Sequence, residues 1–287
     1  MLRDPIIIIG MARSGTTLIA NMLGYHNDVN VIVEPHILWR TGNFHIINDQ
    51  DYSLKRRDVE IIRKKIIDYA KGKRIVEKSP INSLRANLVH SVFPNAKIIY
   101  LERDPVRLIA SNYSRSIKKD SFKLSIIFRK YFINTGSNDL PYAISNLSIF
   151  DQLSLRDIPS FILYIFRMFF LRDVMSRLPF GPKIRNFGKI VKDKGLLHYH
   201  VQVYIESKKE KKLYKKLYKS NLFCFKMEQL MRNRDEIKRL FDSVDLTYDN
   251  SLIDLIYTNI DQIRVNKSSE TNSIDKAIIQ ELYKYNV

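Results

Sequence analysis

Four isoleucines in a row, Ile6 to Ile9, stop at Gly10, and after Gly15 the apolar positions recur at helical spacing as Leu18, Ile19, Met22 and Leu23. A short β-branched run suits a strand covered on both faces, and the spacing beyond the loop predicts a helix. The same change of period repeats along the chain. Residues 29–33 (VNVIV) predict a second strand, and residues 55–72 a helix through Val59, Ile62, Ile66, Ile67 and Tyr69, closed by Gly72. Residues 74–77 predict a third strand, 82–93 a helix stopped by Pro94, and 96–101 (AKIIYL) a fourth strand; a helix with Pro105 in its first turn follows. Strands and helices alternating at these lengths predict an α/β fold of three layers, with a central, mainly parallel sheet, right-handed crossovers and helices on both faces.

Beyond Ser116 the alternation breaks down. Residues 117–195 read as a basic, aromatic insert that shapes an acceptor site, within one domain spanning 1–287. Its most apolar stretch, Phe161 to Leu171, is too short to cross a bilayer and is interrupted by Arg167. It reads first as a buried helix, with a lid or an interfacial anchor as alternatives. Residues 195–220 predict a long helix and 222–226 (LFCFK) a fifth strand. Helices are expected over 228–244, 248–259 and 274–285, with a polar loop at 266–269.

Composition narrows the setting. The chain has 287 residues and a formal net charge of +18, which draws anions without choosing among nucleic acid, acidic glycans, anionic lipids and a phosphorylated cofactor. Cys224 is the lone cysteine, so no disulfide framework is expected, and with no export signal visible before Ile6 the expected location is the cytoplasm.

The loop of residues 10–15 delivers a helix amino terminus to the sheet edge. Unpaired backbone N–H groups, the helix dipole and two glycines make such a loop an anion cradle. A nucleotide-hydrolysing P-loop has lysine after its second glycine. Here Thr16 and Thr17 follow Gly15, and the cation stands earlier, at Arg13, beside Ser14. In a parallel sheet, ligands bind beyond the carboxyl ends of the strands. Arg13 follows the first predicted strand, Glu34 the second, Lys78 the third and Arg103 the fourth, so all four fall on that edge. The string ARSGTT resembles the 5'-phosphosulfate loop of sulfotransferases, and sulfuryl transfer from a phosphosulfate asks for these groups: N–H and hydroxyl donors for the 5' end, cations on the leaving phosphate, and a base for the acceptor proton. Arg103, just before the helix, and Ser111, on its second turn, are spaced to meet one phosphate. Glu34 is the candidate base, His36 its rival on the same turn, and Lys78 the group that stabilises developing charge. No metal is required.

The strings GMARSGTT, EKSP and FPNAKIIYLERDPVRLIAS resemble the sulfotransferases that use 3'-phosphoadenosine 5'-phosphosulfate (PAPS), and FGPKIRNFGKIVKDKGLL resembles the carboxyl half of bacterial members. The nearest likeness is to the tyrosylprotein and glycosaminoglycan arm, in which a glutamate at the spacing of Glu34 is the base and a lysine before proline, here Lys78, assists the leaving group. The resemblance implies PAPS as donor and 3'-phosphoadenosine 5'-phosphate (PAP) as product. It implies a 5'-phosphosulfate loop made of Arg13, Ser14, Gly15, Thr16 and Thr17. It also implies a 3'-phosphate site of Arg103 and Ser111, covered by a late basic loop at Lys267 and Ser268. The acceptor would be a hydroxyl on a small molecule, glycan or lipid, with a peripheral membrane contact left open and no nucleic-acid partner. The alternatives are a P-loop nucleotide-dependent kinase, against which the missing lysine speaks, and a non-catalytic anion-binding or nucleic-acid-binding protein.

Overall fold

The computed structural model describes residues 4–117, 144–145, 148–175, 178, 181–265 and 273–285. Six strands form one sheet: β1 (Ile6–Ile9), β2 (Val29–Val33), β3 (Arg74–Lys78), β4 (Lys97–Glu102), β5 (Ile144–Ser145) and β6 (Leu222–Lys226), in the order β5-β2-β3-β1-β4-β6. Every pairing is parallel. All four isoleucines of β1 are fully buried, with Ile7 and Ile9 in one core and Ile6 and Ile8 in the other. This two-sided burial explains why an unbroken apolar run, rather than an alternating one, forms the central strand.

One face carries α2 (Arg56–Asp68), α3 (Ala86–Val92) and the far end of the long helix Phe187–Tyr218, through Ile62, Val89, Tyr214 and Tyr218. The other carries α1 (Thr16–Gly24) and the helices Arg234–Ser243 and Asn250–Val265, through Ile19, Leu23, Leu240, Phe241 and Ile253. The three layers expected from the sequence are therefore present. A further cluster joins α4 (Pro105–Ile117) to the Phe187–Tyr218 helix and the terminal helix Ser273–Tyr283, through Leu108, Ile109, Tyr199, Val203 and Ile278.

Several boundaries differ from expectation. β3 runs one residue further, so Lys78 is its last member and pairs with Val33 and Ile8. The helix expected from residue 82 begins at Ala86 after a 3₁₀ turn over Pro80–Leu84, whose leading proline supplies no N–H. The long helix begins at Phe187 and passes through a non-helical Gly195, with φ 86° and ψ 171°. The stretch expected as one helix from 228 divides into Met227–Leu230 and Arg234–Ser243, the second capped by Asn233, whose side chain accepts from the Asp235 N–H. β5, only two residues long, lies on the edge beside β2 and was not anticipated.

The run Phe161 to Leu171 corrects its first reading. It falls in a helix, Ile158–Phe170, but only one side is packed: Phe161 is buried against Phe44, Ile37 and Ile149, while Ile162, Leu163 and Phe166 are exposed. A helix apolar all round needs cover all round to be buried, and the neighbouring elements supply it on one side.

Candidate active site

β1 lies between β3 and β4; the chain leaves β1 for β2, beyond β3, and after β3 crosses back to β4 on the other side of β1. Loops that diverge from adjacent parallel strands open a crevice at their carboxyl ends. In that crevice Arg103 donates from a guanidinium nitrogen to the Arg13 carbonyl at 2.7 Å, and Arg13 Nε donates to Ser111 Oγ at 3.2 Å. Arg103 and Ser111 are thus linked through Arg13 rather than to each other. Asn112 fixes the same loop by donating to the Ala12 carbonyl at 2.9 Å.

The loop is shaped for close approach. Arg13 has φ 70° and Gly15 φ 101°, so two of its residues take left-handed backbone. Ser14 is buried, and its hydroxyl has no hydrogen-bond partner among the described residues. Ser14 therefore does not line the cavity, unlike Arg13 and Gly15 on either side of it. Thr16 and Thr17 open α1 and line the cavity.

Across the crevice, Lys78 Nζ donates to Glu34 Oε1 at 2.8 Å, and His36 Nε2 lies 3.0 Å from Glu34 Oε2. The Lys78 side chain is 2% exposed and Glu34 26%, so an ion pair stands at the floor with its carboxylate turned toward the opening. Backbone bonds hold the pair in register, since the Glu34 N–H donates to the Lys78 carbonyl at 2.8 Å. Glu34 itself sits at φ 54°, a conformation that costs a non-glycine residue roughly 1 kcal/mol or more and tends to occur at functional positions. The turn that follows is braced from below. Trp39 donates its indole N–H to Glu77 Oε1 at 2.8 Å, and Gln152 Oε1 accepts from the N–H groups of Ile37 and Leu38. Complete burial pushes the Glu77 carboxyl up to about 7, against hydrogen bonds from Ser79 and Trp39 that lower it.

These groups surround one cavity of about 940 Å³. Arg13, Glu34, Lys78 and Arg103 all line it, with Gly15, Thr16, Thr17 and His36. Sequence reasoning missed Arg107, Arg115 and Arg232, which raise the cationic lining to six side chains against the carboxylates of Glu34 and Glu228. The four-residue spacing of Arg107, Ser111 and Arg115 on one helix face is a signal that could have found two of them. Also missed was His200, whose Nε2 lies 2.7 Å from Ser116 Oγ at the cavity wall and which burial brings down to about 4, keeping the ring neutral. Burial likewise lowers the Arg103 pKa, while Glu228 acts in the opposite direction. Lys267 and Ser268 lie outside the described residues. Among the described residues no cluster of His, Cys, Asp or Glu could hold a metal ion.

The Sulfotransferase family model matches residues 5–142, from the approach to β1 through α4. Over that segment, just under half of the chain, the sequence is similar to the sulfotransferase family. The sulfotransferase segment is also where sequence relatives overlap the chain. An uncharacterised protein of Aquifex aeolicus (strain VF5) is 28% identical over 154 residues, covering 48% of this chain and 20% of that protein. A protein-tyrosine sulfotransferase of Drosophila melanogaster is 28% identical over 137 residues, covering 42% of this chain and 28% of that one. The chain therefore matches under a third of the length of these relatives. Among solved structures, a sulfotransferase domain from the curacin biosynthetic pathway covers 98% of this chain and 98% of its own, at 14% identity and a TM-score of 0.48. Arg13, Glu34, Lys78, Arg103 and Ser111 all fall inside the sulfotransferase segment, while His200 and Arg232 come to the same cavity from outside it.

Proposed function

We propose that the chain is a PAPS-dependent sulfotransferase that transfers a sulfuryl group to an acceptor hydroxyl. The observation that supports this most is the meeting of Arg13, Glu34, Lys78 and Arg103 at one cavity although they follow or end four different strands. The residues fit a ligand with two anionic ends. The 10–15 loop, with Arg13, Gly15 and the amino end of α1 at Thr16 and Thr17, suits the 5'-phosphosulfate, and Arg103 with Ser111 suits the 3'-phosphate.

In this reading Glu34 accepts the acceptor hydroxyl proton as that oxygen forms its bond to sulfur. The bond between sulfur and the bridging oxygen breaks, and its electron pair stays on the 5'-phosphate of PAP. Lys78 holds Glu34 through one of its three ammonium donors and offers another to the departing oxygen, and Arg13 adds a second positive charge there. His36, bonded to the far carboxylate oxygen, orients Glu34 rather than replacing it. The acceptor is a hydroxyl compound of glycan, lipid or other metabolite type.

Two measurements test the proposal. PAP should raise the melting temperature of the protein, and Arg103→Ala should abolish that rise. Labelled sulfate from PAPS should pass to an acceptor, whereas labelled phosphate from ATP with magnesium should not. An unshifted melting curve at saturating PAP, or phosphate transfer alone, overturns the proposal.

A further inference from the structure

We infer that the uncovered face of the Ile158–Phe170 helix is a docking surface for an anionic phospholipid membrane, on which the helix lies flat. Successive helical residues turn by about 100°, which places Ile158, Pro159, Ile162, Leu163, Phe166 and Phe170 in one sector. Every one of them is exposed, and none is polar. The large ones range from 37% exposure at Ile158 to 88% at Phe170. The packed sector holds Phe161, Tyr164 and Ile165 against Phe44 and its neighbours. Arg167 does not interrupt the exposed sector, because its guanidinium turns away and donates to the His45 carbonyl at 2.7 Å. A water-facing helix side normally carries charges, so a wholly apolar one marks an interaction site. The patch continues beyond the helix through Leu155 and Phe150, which are 86% and 80% exposed.

Charge selects the occupant. The basic helix α2 is tied to the segment leading into the patch: Lys65 Nζ donates to the Asp151 and Leu153 carbonyls at 2.7 and 3.1 Å, and Arg156 pairs with Asp58. α2 exposes Arg57 and Lys64 together with Arg56, which pairs with Glu60 at 2.8 Å, and Leu54 beside it is exposed as well. Apolar side chains flanked by cations are the combination that settles at a headgroup layer, with each cation attracted to anionic lipid. A second copy would bring the same net +18 to the contact and be repelled. At 13 residues the helix is about 20 Å long, too short to span a bilayer and long enough to lie in its interface.

Co-sedimentation of the full chain with vesicles tests this without any sulfuryl transfer. Wild type should pellet with phosphatidylcholine vesicles containing phosphatidylserine at least about tenfold more strongly than with phosphatidylcholine alone. The double variant Leu163→Glu/Phe166→Glu should lose at least about tenfold of that binding, and Arg56→Glu/Arg57→Glu should lose the preference for the anionic vesicles. Unchanged circular-dichroism melting in each variant separates lost binding from lost folding. Wild type left in the supernatant with both vesicles, or a Leu163→Glu/Phe166→Glu variant that folds and binds as wild type does, overturns the inference. So does a wild-type dimer in sedimentation velocity that the double variant dissociates and that does not pellet.

Discussion

Glu34 and Lys78 stand 44 positions apart in sequence, yet their side chains meet at 2.8 Å because β2 and β3 are parallel neighbours and the two residues lie at matching ends. Replacing Glu34 by Gln should keep the shape and remove the proton acceptor. We expect kcat to fall by about 10²- to 10⁴-fold with the PAP-induced rise in melting temperature retained, and a smaller loss for His36→Ala. A Glu34→Gln protein that no longer responds to PAP would assign the pair to structure instead. Glu77 and His200 make a second contrast. The Glu77 carboxyl is raised to about 7 from 4.5, so its ionisation opposes folding and the stability linked to its protonated form is lost as pH rises from about 4.5 to 7. His200 is lowered to about 4 from 6.5, so stability is lost as pH falls through the same region. The melting-temperature advantage of Glu77→Gln over wild type should therefore grow with pH, and that of His200→Gln should shrink; parallel trends would contradict the assignment. The residues that follow the first four strands were legible in the sequence, because strand ends fix which sheet edge a residue reaches. Glu77 and His200 were not, because their condition comes from burial by segments distant in sequence.

Among the elements, β1 and its loop are the most tightly specified. A Cβ on Gly15 would come within 2.5 Å of Met227 Sδ, and the backbone there has φ 101°. Gly15→Ala should thus lower the melting temperature and weaken PAP binding, and Met227→Ala should restore only part of the loss, since the side chain can be cleared but the backbone strain stays. Full recovery in the double variant would show that crowding alone matters. Elements with a strong period were readable to within a few residues: β2 was read at its observed limits, and Pro105 stands in the first turn of α4 as expected. The Ile158–Phe170 helix was readable as a helix but not as half-covered, because apolar composition states what a segment could bury and not what is present to bury it. β5 gave no signal, since two residues establish no period.

Over the whole molecule, the terminal helix Ser273–Tyr283 completes the apolar cluster that supports α4, with Ile278 fully buried and Leu282 nearly so. Ile278→Ala should cost about 2–5 kcal/mol in a denaturant titration and should weaken PAP binding, because α4 carries Arg107 and Arg115 to the cavity. Weaker stability with PAP affinity unchanged would show that α4 keeps its place without this brace. The sulfotransferase segment ends long before residue 278, so sequence reading of the site stopped short of what steadies it.

The strand order β2-β3-β1-β4 lines up Glu34, Lys78, Arg13 and Arg103 in a row that follows space and not chain order. At about 4.8 Å per strand the row is some 14 Å long. A ligand reaching from one end to the other would act as a clasp across all four strands at once. Its binding energy would then appear as slower amide exchange at the carboxyl ends of β1, β2, β3 and β4 together, and a single strand could not swing open while the clasp was in place.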